Sequence, residues 1–248
     1  MNKNLQILYL GQFVTKTCSI MSYLAIFWLL SSFPNGSIYI GVFGAISLIP
    51  SIILPVFIGV LLDRFSRKNA IIISDIISGF NLLFIALLIT NFVQNIYYIY
   101  ILLFISSCLG TLFACAVEPL YYDIISKNEY PRMISTKNIL IKTASILAPI
   151  LACFLINSFG VRIVLIIEGC SFIASGISEI FIKTNQKIKV DRFTSLNFYK
   201  DLKDVCSFIL KTRILAYILL IGIIVNFFTA PIIPMLPIFV RDILSKSV

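Results

Sequence analysis

Histidine is absent from all 248 residues. Without an imidazole there is no His-based triad, no His–metal site and no imidazole proton relay. Charge is scarce too: 12% of the chain is Asp, Glu, Lys or Arg, and no charged residue occurs from Thr17 to Leu62. Six cysteines (Cys18, Cys108, Cys115, Cys153, Cys170, Cys206) form no CxxC and fall in apolar spans or one basic segment. They read as small buried apolar residues rather than disulfides or metal ligands. There is no GxSxG elbow either, so only carboxylates could carry chemistry, and the chain reads as a non-enzyme without metal or prosthetic group.

What the chain has in quantity is apolar residues: 59% hydrophobic, with a mean hydropathy of +1.01. That is far above a soluble domain of this size. Spans of about 20 apolar residues cross a bilayer, and backbone groups in lipid must be satisfied within a helix. The expectation is an all-α integral membrane protein. Only Lys3 precedes the first span, which is long and followed by no small-residue cleavage site, so that span is expected to remain as a membrane helix.

Turn signals divide the apolar sequence. Ser31–Ser37, with Pro34, Asn35 and Gly36, splits the first uncharged run. Spans are expected at 7–33, 38–62, 70–90, about 95–117, 137–158 and 163–182. A polar connection is expected from Tyr121 to Thr136, a tight turn at Phe159–Arg162, and a seventh span from Ile214 to Val240. Leu196, Tyr199, Leu202, Val205, Cys206 and Ile209 recur at three- and four-residue steps, which predicts an amphipathic surface helix in the basic segment before span seven. Three units follow: residues 1–183 as a six-helix bundle, 184–213 as a basic linker, and 214–248 as a seventh helix with a short tail.

The net charge of +9 is a matter of topology, not of nucleic acid. Fifteen Lys and Arg fall on one side of the expected bundle: Lys3, three between spans two and three, three around spans four and five, and eight from Lys183 to Arg213. Three (Arg162, Arg241, Lys246) fall on the other, and Lys16 and Lys142 lie within spans. The positive-inside rule then places the N-terminus in the cytoplasm of a multi-pass cell-membrane protein, and seven spans place the C-terminus outside.

Between spans two and three runs Gly59-Val-Leu-Leu-Asp63-Arg64-Phe-Ser66-Arg67-Lys68. It resembles the signature loop of major facilitator transporters, Gly-x-x-x-Asp-Arg-x-Gly-Arg-Lys, with Ser66 where that family usually has glycine. Leu8–Val14, Asp201–Asp204 with Phe208–Leu210, and Pro231–Arg241 resemble the macrolide-efflux branch. Span five carries Leu147-Ala-Pro149-Ile-Leu-Ala-Cys153 where exporters often show a glycine-rich run. The resemblance implies a major facilitator N-terminal six-helix bundle plus one further transmembrane helix. It also implies proton-coupled export of a small amphiphilic compound by alternating access, with the bilayer, protons and substrate as partners. A full member has about twelve helices with its site between two halves. The chain is therefore expected to be either a truncated transporter, an inactive membrane fragment, or a subunit whose partner chain supplies the rest.

An ionised residue at the bilayer centre costs roughly 2.5–3.5 kcal/mol, so charges inside spans are candidate functional groups. By the resemblance, Gly59, Asp63, Arg64, Arg67 and Lys68 form a cytoplasmic latch. Asp63 is expected to cap span three, and Glu118 and Asp123 are candidate latch partners, with solvation an equal reading for Asp123. Asp75 either pairs with Arg64 or Arg67 or is solvated at the helix end. Glu168 is a candidate proton carrier, or a local partner of Arg162. Lys16, about 13 Å into span one, either snorkels or meets Asp75 or Glu118. Lys142 is expected to snorkel, and Glu179 to be solvated. Tyr23, Phe27 and Trp28 form an interfacial belt or touch an apolar substrate. Pro231, Pro234 and Pro237 are expected to bend span seven.

Overall fold

The computed structural model describes residues 3–34, 36–62, 65–91, 96–184, 207, 209 and 211–229. Among them are the helices α1 (Lys3–Ser31), α2 (Gly36–Leu62), α3 (Arg67–Asn91), α4 (Ile96–Ile124), α5 (Tyr130–Phe159), α6 (Val161–Glu179) and α7 (Arg213–Thr229), with a 3-10 turn at Lys127–Glu129. Six are long and apolar enough to cross a membrane, which makes this an all-helical, multi-pass membrane protein. The seventh is described from Arg213 to Thr229. Its expected outer part with Pro231, Pro234 and Pro237 lies outside the described residues, as does nearly all of the amphipathic segment around Leu196–Ile209.

One expected connection is replaced by helix. Instead of a polar stretch over 121–136, α4 runs on to Ile124 and α5 begins at Tyr130. Pro119 sits inside α4, because membrane helices tolerate proline where neighbouring groups satisfy the freed carbonyl. Pro131 falls in the first turn of α5, where no N–H is needed. The turn at Gly160 is as expected. Its φ of 79° suits glycine, and its N–H closes α5 on the Ile156 carbonyl at 2.9 Å.

The helices pair as two equivalent triplets would. α1 packs on α6 as α4 packs on α3, α1 on α5 as α4 on α2, and α3 on α6 across the axis. Exchanging α1–α3 with α4–α6 preserves this pattern, the mark of a nested three-plus-three repeat. Pro55 in α2 and Pro149 in α5 stand equally far from the first residue of their helices.

The α3–α6 seam is the tightest. A Cβ on Gly79 would lie 2.7 Å from the Gly169 carbonyl oxygen, and one on Gly169 2.9 Å from that of Gly79. Small residues let membrane helices approach closely enough for dispersion to hold them. Two apolar clusters fill the ends of the bundle. One, at the basic end, joins Leu8, Leu62, Ile71, Leu120, Tyr121 and Ile182. The other, at the opposite end, joins Phe27, Leu30, Ile40, Phe43, Ile85 and Leu165. Between them lies a polar layer. There Asn81 donates to the Leu102 carbonyl at 2.8 Å and to Ser106 Oγ at 2.7 Å, and Ser107 donates to the Ser47 carbonyl at 2.8 Å.

Candidate functional site

At the basic end, the signature loop is tied into neighbouring helices. Arg67 opens α3 and sends Nη1 to both carboxylate oxygens of Asp123 on α4, at 3.0 and 2.9 Å. Both side chains are half-buried, 22% and 20% exposed, so the pair is screened less than a surface one. Lys68 donates to the Ile180 carbonyl just past α6, at 2.7 Å. The loop residues therefore join three helices. Glu118 does not enter this network; it pairs with Lys137 and closes α4 on α5.

Ser66, the departure from the family pattern, has a visible role. Its Oγ accepts the Asn69 N–H at 3.3 Å and its carbonyl accepts the Ala70 N–H at 3.0 Å. It occupies the N-cap position of α3, the place expected for Asp63, and exchanges a flexible glycine for a capping oxygen. Asp63 and Arg64 lie outside the described residues. Gly59 is exposed near the end of α2, and a Cβ there would meet nothing within 4 Å.

For Asp75 two of the expected readings are excluded, while the third expected partner, Arg64, lies outside the described residues. It is 1% exposed, so it is not solvated at a helix end, and Arg67 is committed to Asp123 rather than to it. Glu179 is a second correction. Expected to be solvated, it is 2% exposed, because the chain turns after α6 and buries Ile182 against the basic-end cluster.

Toward the other end, Glu168 on α6 is 5% exposed. Ser19 and Ser22 approach it from α1, the Ser22 hydroxyl without a hydrogen bond of regular geometry. The Cys18 thiol also feels its charge. Arg162 is exposed and makes no salt bridge to it among the described residues; six residues along a helix place the two on different faces. Lys16 is exposed in the middle of α1 and has no ion pair among the described residues. Its two expected partners are unavailable, Asp75 being enclosed and Glu118 held by Lys137.

The aromatic group separates into two parts. Tyr23, Phe27 and Phe43 stack edge-on or tilted at 4.5–5.4 Å, and Phe27 is buried in the core. Trp28 faces outward at 41% exposure. Among the cysteines, Cys18 is buried, but Cys153 and Cys170 face outward, because their helix faces look away from the bundle.

A family model described as Major Facilitator Superfamily matches residues 8–247. The chain is 28% identical over 151 residues to the uncharacterized MFS-type transporter YkuC of Bacillus subtilis (strain 168), covering 61% of this chain and 35% of that protein. It is 28% identical over 134 residues to the uncharacterized MFS-type transporter YfiS of the same organism, covering 54% and 31%. The matched stretches thus span about a third of the length of these relatives. No solved structure gives a significant match. With a family model matching nearly its whole length and a six-helix bundle built as two related triplets, the chain belongs to the Major Facilitator Superfamily, a family of transporters rather than enzymes.

Proposed function

We propose that the chain serves proton-coupled export of a small amphiphilic compound, macrolide-like by its resemblance to the macrolide-efflux branch. It would act in the cell membrane with its basic end in the cytoplasm. The observation that carries the coupling is Glu168, a carboxyl enclosed between α1 and α6 with serines for neighbours and no base paired to it among the described residues. A carboxylate in such a place is costly when charged and inexpensive when protonated. Taking up a proton from the outer side and releasing it inside would bias the α1–α6 contact between two arrangements. Arg67, Asp123 and Lys68 would hold the cytoplasmic side shut in one of them, and their release would open it.

Fifteen basic residues against three on the other side support the orientation. Alternating access works between two halves, so this reading includes a second helical half, from a partner chain or from sequence outside residues 1–248. The test is accumulation of a radiolabelled macrolide in cells producing the protein. Producing cells should hold less drug than controls, a protonophore should abolish the difference, and Glu168→Gln should do the same while Glu168→Asp retains part of it. Export undiminished in Glu168→Gln would contradict the proposal.

A further inference from the structure

A second enclosed acidic site lies in the α3–α6 seam, away from Glu168. Asp75 and Glu179 come from the two helices that pack most tightly, and both are almost completely enclosed, at 1% and 2% exposure. A Cβ on Gly176 would touch the Cβ of Asp75 at 3.4 Å, so the Asp75 side chain runs against α6 one turn from Glu179. The two carboxyls lie within electrostatic reach of each other.

Among the described residues neither acid meets a cation. Both carboxyl oxygens of Asp75 and Oε2 of Glu179 are buried without a protein hydrogen-bond partner. Ser175 on α6 turns its hydroxyl toward both groups without a regular bond to Asp75. From α4, Tyr121 lies near Glu179, with Glu118 and Tyr9 of α1 beside the same ring. Of the described bases at this end, Lys68 holds the Ile180 carbonyl and Arg67 holds Asp123. Two ionised carboxylates sharing this seam, in a low dielectric and with no described base beside them, repel each other. Enclosing either one charged adds a desolvation cost. A single proton held between the two groups removes the repulsion and leaves one buried charge in place of two.

We infer that Asp75 and Glu179 form a proton-binding carboxyl pair, one proton held in common between α3 and α6, separate from the group assigned to coupling. The step is simple in its balance. A proton moves from solvent to a carboxylate oxygen of the pair, forming one O–H bond and leaving one net negative charge shared by two carboxyls. The acid of one then donates to an oxygen of the other, which supplies the missing hydrogen bond. A second proton enters only when that remaining charge is discharged. The site stands independently of the Glu168 reading.

The test is infrared titration of the purified full-length chain in nanodiscs, following the carboxyl C=O band in sodium-free buffer. A Glu168→Gln background keeps that residue silent. With the pair intact, its protons should be bound in two separate steps. Asp75→Asn and Glu179→Gln should each collapse these to a single step, and the double variant should remove both steps, leaving only the titration of the chain's other carboxyls. Size-exclusion profiles and helical content identify which variants fold; because the residues are swapped for amides of the same shape, at least one single variant should. If Asp75→Asn leaves the titration of Glu179 unchanged, the two do not share a proton and the inference falls. It falls equally if sodium at constant pH removes the C=O band, since the occupant is then a metal cation. Loss of export in Glu168→Gln with an unchanged pair titration would support the coupling reading and this one separately.

Discussion

Replacing Gly79 by alanine isolates what holds α3 to α6. The added methyl would sit 2.5 Å from Ile173 Cγ1 and 2.7 Å from the Gly169 carbonyl oxygen. The Ile173 side chain can rotate away, but the carbonyl belongs to helix backbone and cannot. Ordinary contact begins near 3.4 Å, so the helices must part by about 0.7 Å along the seam. Overpacking of this kind costs about 1–3 kcal/mol, against a gain of up to about 1 kcal/mol from alanine's helix propensity. A net loss of about 0–2 kcal/mol against the unsubstituted chain follows, and of about 1–3 kcal/mol against an alanine placed in a helix without a clash. Equilibrium unfolding by SDS in mixed micelles, followed by far-UV circular dichroism, reads that difference. Gly110→Ala is the control: it lies in α4 with nothing within 4 Å of the new methyl, and it should be neutral or slightly stabilising. If Gly79→Ala unfolds at the same SDS fraction as Gly110→Ala, the seam is not close-packed and the reasoning fails.

A double-mutant cycle on Arg67→Ala and Asp123→Ala should give a coupling of about 1–2 kcal/mol, between a charge-assisted buried bond and a surface pair; a value under about 0.3 kcal/mol would remove the latch as an energetic unit. Gly160→Ala forces a φ of 79° and ψ of 170° on a residue with a Cβ, and should destabilise the α5–α6 turn by about 1–3 kcal/mol in the same SDS assay. Asn81→Ala breaks two bonds to α4 and leaves Ser106 and the Leu102 carbonyl without that donor. The cost expected for interhelical bonds in membranes is about 1 kcal/mol, and no loss in SDS unfolding would show that the polar layer does not hold α3 to α4. Ser66→Ala should lower the helicity of the start of α3 and cost about 1 kcal/mol, with Ser66→Asp retaining the cap; amide exchange at Asn69 reports it.

Six spans were legible because the apolar runs are long and the turns between them are written in Pro, Asn and Gly. Helix ends were less so. Around 121–136 the polar residues suggested a long connection, yet Tyr121 is buried in the basic-end cluster and donates to Gln12 Oε1 at 2.8 Å, so packing extends α4 where composition alone would stop it. The signature loop could be found as a motif, but the choice of Asp123 over Asp75 for Arg67 depends on how α3 meets α4, and no spacing encodes that. Glu179 was invisible for a related reason. Its position near a helix end implies water, while the turn that buries Ile182 encloses it. Ser66 carried the one local signal that was passed over: a serine three residues before Asn69 at the start of an apolar run is an N-cap pattern in its own right.

Proton counterflow tests the central claim most directly. The chain together with the helical half that completes it is reconstituted in liposomes containing a pH-sensitive dye, a macrolide gradient is imposed, and internal pH is followed. The account predicts that macrolide moving one way drives protons the other, and that Glu168→Gln shows neither movement. Macrolide crossing the membrane with no change in internal pH would contradict it.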